Sequence, residues 1–199
     1  MLDKESLSVY IFNVANSSHL KFTVSYEASD GIYSQNKGQG NQQMLPHNFQ
    51  LVQLGSPAIV YMIGGGEFNM NARSLRETRK LVKKDDKYGF SVCADMRHPR
   101  HGHSACSVND KFIVVTGSRV DKAGGMCEIY NQVMNKWTDL PQMKSPRHYH
   151  SSCAFNSGQI FVFCGINNPT KKYMNTIEML DISMFQHGIV TQWQPFDIN

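Results

Sequence analysis

Two histidine pairs are the first residues in this chain whose types and spacing could do chemistry. His101 and His103 stand two apart, and so do His148 and His150. On a strand, residues two apart share a face, which is a geometry for holding a metal ion. Each pair lies in the same local sequence, so the preferred reading is a framework residue that pins the entry to a strand. Gly64-Gly65-Gly66 could form a phosphate loop, but no Lys-Ser/Thr ending follows and no helix offers its N-terminus. A turn at a strand end is expected there. Arg73, Arg76, Arg79, Lys80, Lys83 and Lys84 could meet nucleic acid or an acidic partner. Glu77, Asp85 and Asp86 dilute them, which favours a solvated outer strand. No nucleophile sits in a Cys-His or Ser-His-Asp setting. No catalytic residue, cofactor or metal site is therefore assigned.

The five cysteines are Cys93, Cys106, Cys127, Cys153 and Cys164. None has C-x-x-C spacing, and the odd count without a secretory signal points to reduced thiols. They are expected to be small buried hydrophobes in strands. Hydrophobic residues make up 41% of the 199 and charged residues 18%, which suits a folded chain rather than a disordered one. A net charge of +4 is too mild to imply nucleic acid. No apolar run approaches the length of a membrane helix, and the acidic start MLDKESLSVYIF does not read as a signal peptide. A cytoplasmic location, with no nucleic-acid and no membrane partner, is the expectation.

What must position these residues is a repeat. MRHPRHGHSACS (residues 96–107) and MKSPRHYHSSCA (143–154) share Met, Pro, Arg, His, His, Ser and Cys in register, 47 residues apart. Downstream, FIVVTG ends at Gly117 and IFVFCG at Gly165. Then come CEIYN around Glu128 and IEMLD around Glu178, and each copy closes on Trp137 or Trp193. A weaker copy lies upstream. There Pro46 aligns with Pro99, Gly64 with Gly117, Glu77 with Glu128 and Tyr88 with Trp137. Before it, SVYIFNVANSSHLKFTVSYEA reads as two strands joined by a polar turn, the second half of a repeat. Each copy holds runs rich in Val, Ile, Phe and Tyr, bounded by Gly, Asn, Asp and Pro, which read as four short strands in a meander. Residues 72–84 are the best helix candidate, but their alignment with strand-like segments favours strand.

Four strands per unit of 40–50 residues is the pattern of a propeller blade. The residues resemble kelch repeats: a strand ending in Gly64-Gly65, a strand near Glu128-Ile129-Tyr130, a closing Trp137, then Pro-Arg and His-Ser opening the next copy. The likeness covers about residues 45 to 193. It departs where the family's glycine pair becomes Gly117-Ser118 and Gly165-Ile166. The expected fold is all-β, a kelch-type β-propeller of about three and a half four-stranded blades, an incomplete ring or a fragment. Its blades are 1–44 (half), 45–96, 97–143 and 144–199, in one domain.

The repeated residues have structural work to do. Strand-end glycines permit positive φ and close backbone approach. The closing aromatic fills the space between sheets, and a tryptophan N–H there needs an acceptor. The repeated glutamates need a donor, for which Arg100 and Arg147 are candidates. Function is left to the loops. In a meander, the loop between strands two and three and the loop between blades emerge at one end. That end gathers residues 67–72, 119–124 and 167–173, with the linkers at Arg97-His98 and Lys144-Ser145. The candidate partner-binding residues are Arg97, His98, Arg119, Asp121, Lys122, Tyr149, Asn167, Asn168, Lys171 and Tyr173. The resemblance implies a protein-interaction scaffold for a protein or peptide, such as a substrate-recruiting or assembly subunit, with self-association or further blades from a longer chain. The alternative is a propeller-based enzyme, a metal-dependent oxidase or a sugar isomerase. Stoichiometric metal in purified protein would favour it.

Overall fold

In the computed structural model, the described residues are 6–13, 18–25, 46–55, 57–67, 73–84, 87–156 and 158–197. They form an all-β chain. The chain divides into two compact units, residues 1–45 with 81–91, and residues 46–80 with 92–199. The first holds a hairpin of β1 (Ser6–Asn13) and β2 (Ser18–Ser25), paired antiparallel as their sequence predicts.

Three four-stranded sheets follow, each a meander in chain order. The first is β3 (Gln50–Leu54), β4 (Ile59–Ile63), β5 (Thr78–Lys84) and β6 (Lys87–Val92). Residues 78–84 are thus strand, not helix. The second sheet is β7 (Ser104–Val108), β8 (Phe112–Thr116), β9 (Cys127–Asn131) and β10 (Lys136–Leu140). A two-residue strand, β11 (Arg147–His148), opens the last repeat. Then come β12 (Ser151–Phe155), β13 (Gln159–Phe163), a second short strand β14 (Ile166–Asn167), β15 (Ile177–Asp181) and β16 (Gln194–Phe196). β11 pairs with β14, and β12-β13-β15-β16 form the third sheet. Among the described residues, no helix is long and apolar enough to cross a membrane.

The reason for the repeat lies in β8. FIVVT is buried at every position. Ile113 and Val115 join Val52, Leu54, Tyr61 and Ile63 of the first sheet. Val114 and Phe112 face the other way, onto Ile160, Val162 and Leu180 of the third. A strand covered on both faces loses the polar alternation of a half-exposed one. Each such side chain contributes roughly 1.5–3 kcal/mol by leaving water, and no single sheet can collect that on both faces.

The tryptophans close these seams. Trp137 packs in the core between the first and second sheets, and its Nε1 donates to Thr78 Oγ1 (3.1 Å) and the Ala94 carbonyl (3.0 Å). Trp193, just before β16, packs between the second and third, and its Nε1 donates to the Pro141 carbonyl (2.8 Å). A large ring buried with its one donor satisfied is the role expected of this position.

The strand register corrects the sequence alignment by one residue in two places. β7 and β8 map onto β12 and β13 with a constant shift of 47, so Gly117 corresponds to Cys164, not to Gly165. Gly64, Gly117 and Cys164 all take positive φ (+59°, +65° and +58°). Upstream of β3 the shift is 54, so Pro46 stands where the next copy has Arg100, not Pro99, and His47 stands where the later copies have His101 and His148. The backbone bears this out. His47 pairs with Gly66, the Arg119 N–H donates to the His101 carbonyl, and His148 pairs with Ile166.

Candidate functional site

The segment entering each later repeat is locked by the same set of bonds. Arg100 is fully buried. Its Nη2 donates to Glu128 Oε1 (2.7 Å), and its Nη1 donates to the carbonyls of Gly117 (2.9 Å) and Met126 (2.8 Å). Glu128 in turn accepts the N–H groups of Arg97 (2.8 Å) and His98 (3.2 Å). One repeat on, Arg147 donates to Glu178 (2.7 Å) and to the carbonyls of Cys164 and Thr176, both at 3.0 Å. Glu178 accepts the N–H groups of Lys144 and Ser145. The expected arginine–glutamate pairing is thus present in both copies. In the first copy Glu77 pairs with Arg79. Arg79 is 8% exposed, so this part of the basic stretch is not a solvated face.

The second histidine of each pair belongs to the same lock. A Cβ on Gly64 would lie 2.9 Å from His103 Cε1, and a Cβ on Gly117 would lie 2.6 Å from His150 Cε1. The glycines make room for these rings. His150 Nε2 meets Thr116 Oγ1 at 2.8 Å. The corresponding residue before His103's glycine is Ile63, and neither ring nitrogen of His103 has a hydrogen-bond partner at standard geometry. Burial holds both rings neutral, helped by Arg100 beside His103 and Arg147 beside His150. It depresses His103 well below the ordinary imidazole value and His150 to about 3. The Ile63 carbonyl favours a charged His103 but is outweighed. His101 and His103 precede β7 with Gly102 at φ +62° between them, so the strand geometry that would put both on one face is not formed, and His101 Nδ1 meets Ser74 Oγ at 2.7 Å. Among the described residues, no group of three or more His, Cys, Asp or Glu is placed to hold a metal ion.

Residues 99–144, which contain this lock, match the family model of the Kelch motif. The chain carries a Kelch motif and has the fold of a kelch-type β-propeller. Among solved structures it is similar to one titled "Structure of YjhT", with a TM-score of 0.58 at 14% identity. The match covers 78% of this chain and 52% of that one, so the chain spans about half the length of that structure. No curated protein matches the chain.

The two neutral histidines of the kelch lock give a pH dependence. The unfolded chain protonates them near pH 6.5, whereas the folded chain resists. Unfolding therefore takes up protons, and stability falls as the pH drops below 6.5 toward 3, by up to about 1.4 kcal/mol per pH unit per histidine. His103→Leu and His150→Leu should each flatten that slope in urea titrations run from pH 7 to 4. At pH 7 His150→Leu should cost more, because it also strips Thr116 of its partner, whereas His103→Leu leaves no side-chain group stripped of a bond. Equal slopes in wild type and both variants would refute the buried neutral assignment.

The kelch blades gather most of the candidate residues at one end. Ser104, Thr116 and Cys127 stand side by side across the second sheet, and Cys127 pairs with Leu140. The β8–β9 connection and the linker after β10 thus emerge together. There Asp121 and Lys171 form an ion pair bridging two repeats (2.9 Å), which keeps the Asp121 carboxyl below its usual value. Arg119 and Lys122 are exposed. Tyr149 is 48% exposed and Tyr173 90%. Asn167 is half-buried, and its Oδ1 accepts from Thr170.

Three candidates also make bonds within the scaffold. Asn168 is 2% exposed. Its Nδ2 donates to the Ser118 carbonyl (2.9 Å) and its Oδ1 faces His148 Nδ1 (3.3 Å), so it joins two repeats instead of meeting solvent. Arg97 and His98 give their N–H groups to Glu128, and the Arg97 side chain pairs with Asp139. Residues 68–72 of the first loop lie outside the described residues. The cysteines also split. Cys93 and Cys127 are buried, but Cys153 and Cys164 are exposed, against the expectation that all would be core. All five are free thiols, and burial pushes Cys106 and Cys127 up to about 12.

Proposed function

We propose that this chain is a protein-interaction module and not an enzyme. Its kelch blades are the scaffold, and the loops at the β8–β9 end bind a protein or peptide, as a substrate-recruiting or assembly subunit would. The observation that carries this reading is Tyr149. Its φ is +51°, its N–H donates to the Gly102 carbonyl (2.7 Å), and its ring lies over Gly102, where a Cβ would come within 2.7 Å of it. The His148 ring abuts it edge-on at 5.0 Å. An aromatic ring fixed before binding loses little entropy on meeting a partner, and tyrosine beside arginine is common at binding hot spots. Five free thiols suit a reducing compartment, and the cytoplasm is the one proposed.

Selection of a displayed peptide library on the purified protein tests this. Enriched peptides should lose about tenfold or more in affinity to Tyr149→Ala, and also lose affinity to Tyr173→Ala. Ligands indifferent to every substitution in these loops would defeat the proposal.

A further inference from the structure

The third sheet repeats the second, but one of its faces stays exposed. In the second sheet Val108, Val114, Cys127, Ile129 and Leu140 turn toward the third and are buried there. The strand pairings place Phe155, Phe161, Ile177, Met179 and Phe196 at the same positions one repeat on. Ile160, Val162 and Leu180 take the face that meets the second sheet, so by strand alternation these residues look the other way. Val108 is 2% exposed but Phe155 58%, and Leu140 is 6% exposed but Phe196 42%. Phe161, Ile177 and Met179 are partly exposed, as is Phe163 beside them. Cys106, packed against the core in the second sheet, has exposed Cys153 as its equivalent.

The exposed positions keep the chemistry of a covered seam. Phenylalanine stands where the second sheet has Val108, Val114, Thr116 and Leu140, and Gln159 replaces Phe112. Phe161 stacks on Phe163 with centroids 6.3 Å apart and meets Phe196 edge-on at 5.0 Å, so these rings are held before anything lands on them. Among the described residues of this face, Asp181 alone is charged. It lies at a strand end, paired with Gln159, and its carboxylate accepts the Ser183 N–H (2.8 Å). An exposed apolar patch of this kind marks a protein contact. We propose that this face is the contact between two copies of the chain, each laying its third sheet on the other's, with Phe155, Phe161 and Phe196 in the seam.

A two-fold contact sets one patch against itself, so the patch must be self-complementary. Uncharged across its breadth, this face can meet its own likeness without burying like charges, and it offers a charged partner nothing to pair with. Sheets stack face to face about 10 Å apart through interleaved side chains, as the second and third sheets of this chain already do. The contact uses the flat of the sheet, whereas the peptide-binding loops proposed above lie at strand ends. A dimer therefore displays two sets of those loops, and a partner with two motifs gains by avidity.

The test is sedimentation velocity of the whole chain from about 1 to about 100 μM, a range that brackets a micromolar Kd. It should show a discrete dimer that dissociates on dilution. Phe155→Asp and Phe196→Asp, both at exposed sites, should keep the circular dichroism of the wild type and weaken association by about tenfold or more. Thiol labelling gives a second readout that needs no variant. Alkylation of Cys153 by iodoacetamide should slow about fivefold or more between monomer and dimer concentrations, while exposed Cys164, beyond the end of β13, keeps its rate. A chain monomeric at the highest concentration would overturn the inference and leave the face to a sheet of another chain. So would a dimer indifferent to both substitutions, a Cys153 equally reactive in the dimer, or growth without limit, which marks unspecific sticking.

Discussion

Arg100→Leu should lower the stability of the chain by about 3–5 kcal/mol, the usual cost of removing one member of a buried ion pair. Both side chains of the pair are fully buried, so Glu128 would be left charged in a site without water. The guanidinium also serves the carbonyls of Gly117 and Met126, and each buried acceptor left unmet adds roughly 1–3 kcal/mol. Arg100→Lys should fare little better, because an ammonium cannot present the planar fork that reaches a carboxylate and two carbonyls together. The informative variant is Arg100→Leu with Glu128→Leu. A buried ion pair standing alone can often be exchanged for apolar residues at no loss. Here the double variant should not recover, since the N–H groups of Arg97 and His98 lose their acceptor as well. Urea midpoints at unchanged slope would measure this. A double variant near wild-type stability would show the lock to be an isolated pair.

That lock was half visible in the sequence. The glutamates and arginines recur at fixed distances, and buried charges require partners, so a pairing could be named before any coordinates. The fold was legible for a similar reason: apolar runs such as FIVVT and the 47-residue recurrence both follow from sheets covered on two faces. Register was harder. Letter matching aligns Gly165 with Gly117 because both are glycine. Backbone bonds instead put Cys164 there, because Arg147 grips the Cys164 carbonyl as Arg100 grips that of Gly117. The binding face was legible in outline only. Tyr149 and Tyr173 are exposed as loop residues should be, but Asn168 is buried by the Ser118 carbonyl, which belongs to another repeat. Contacts between repeats leave no local spacing to read.

The register correction leads to the second large effect. Gly117→Ala should cost about 3 kcal/mol or more, by two additive routes. At φ +65° an L-residue carries roughly 1–2 kcal/mol of strain. The new Cβ would also lie 2.3 Å from the Arg147 carbonyl oxygen and 2.6 Å from His150, both part of the next repeat's entry and neither able to retreat without breaking the lock. Gly64→Ala should be somewhat milder, since its nearest atoms stand at 2.9 Å. Cys164 is the natural control. It occupies the same left-handed conformation with a side chain already present, and it is exposed. Cys164→Gly should therefore remove backbone strain and change stability by no more than about 1 kcal/mol, because the added freedom of glycine in the unfolded chain offsets the relief. Thermal or urea unfolding of the three variants separates the causes. If Gly117→Ala cost no more than conformational strain alone, the close approach of Arg147 and His150 would not be what selects glycine. A Cys164→Gly variant markedly less stable than wild type would return Gly165 to the position of Gly117.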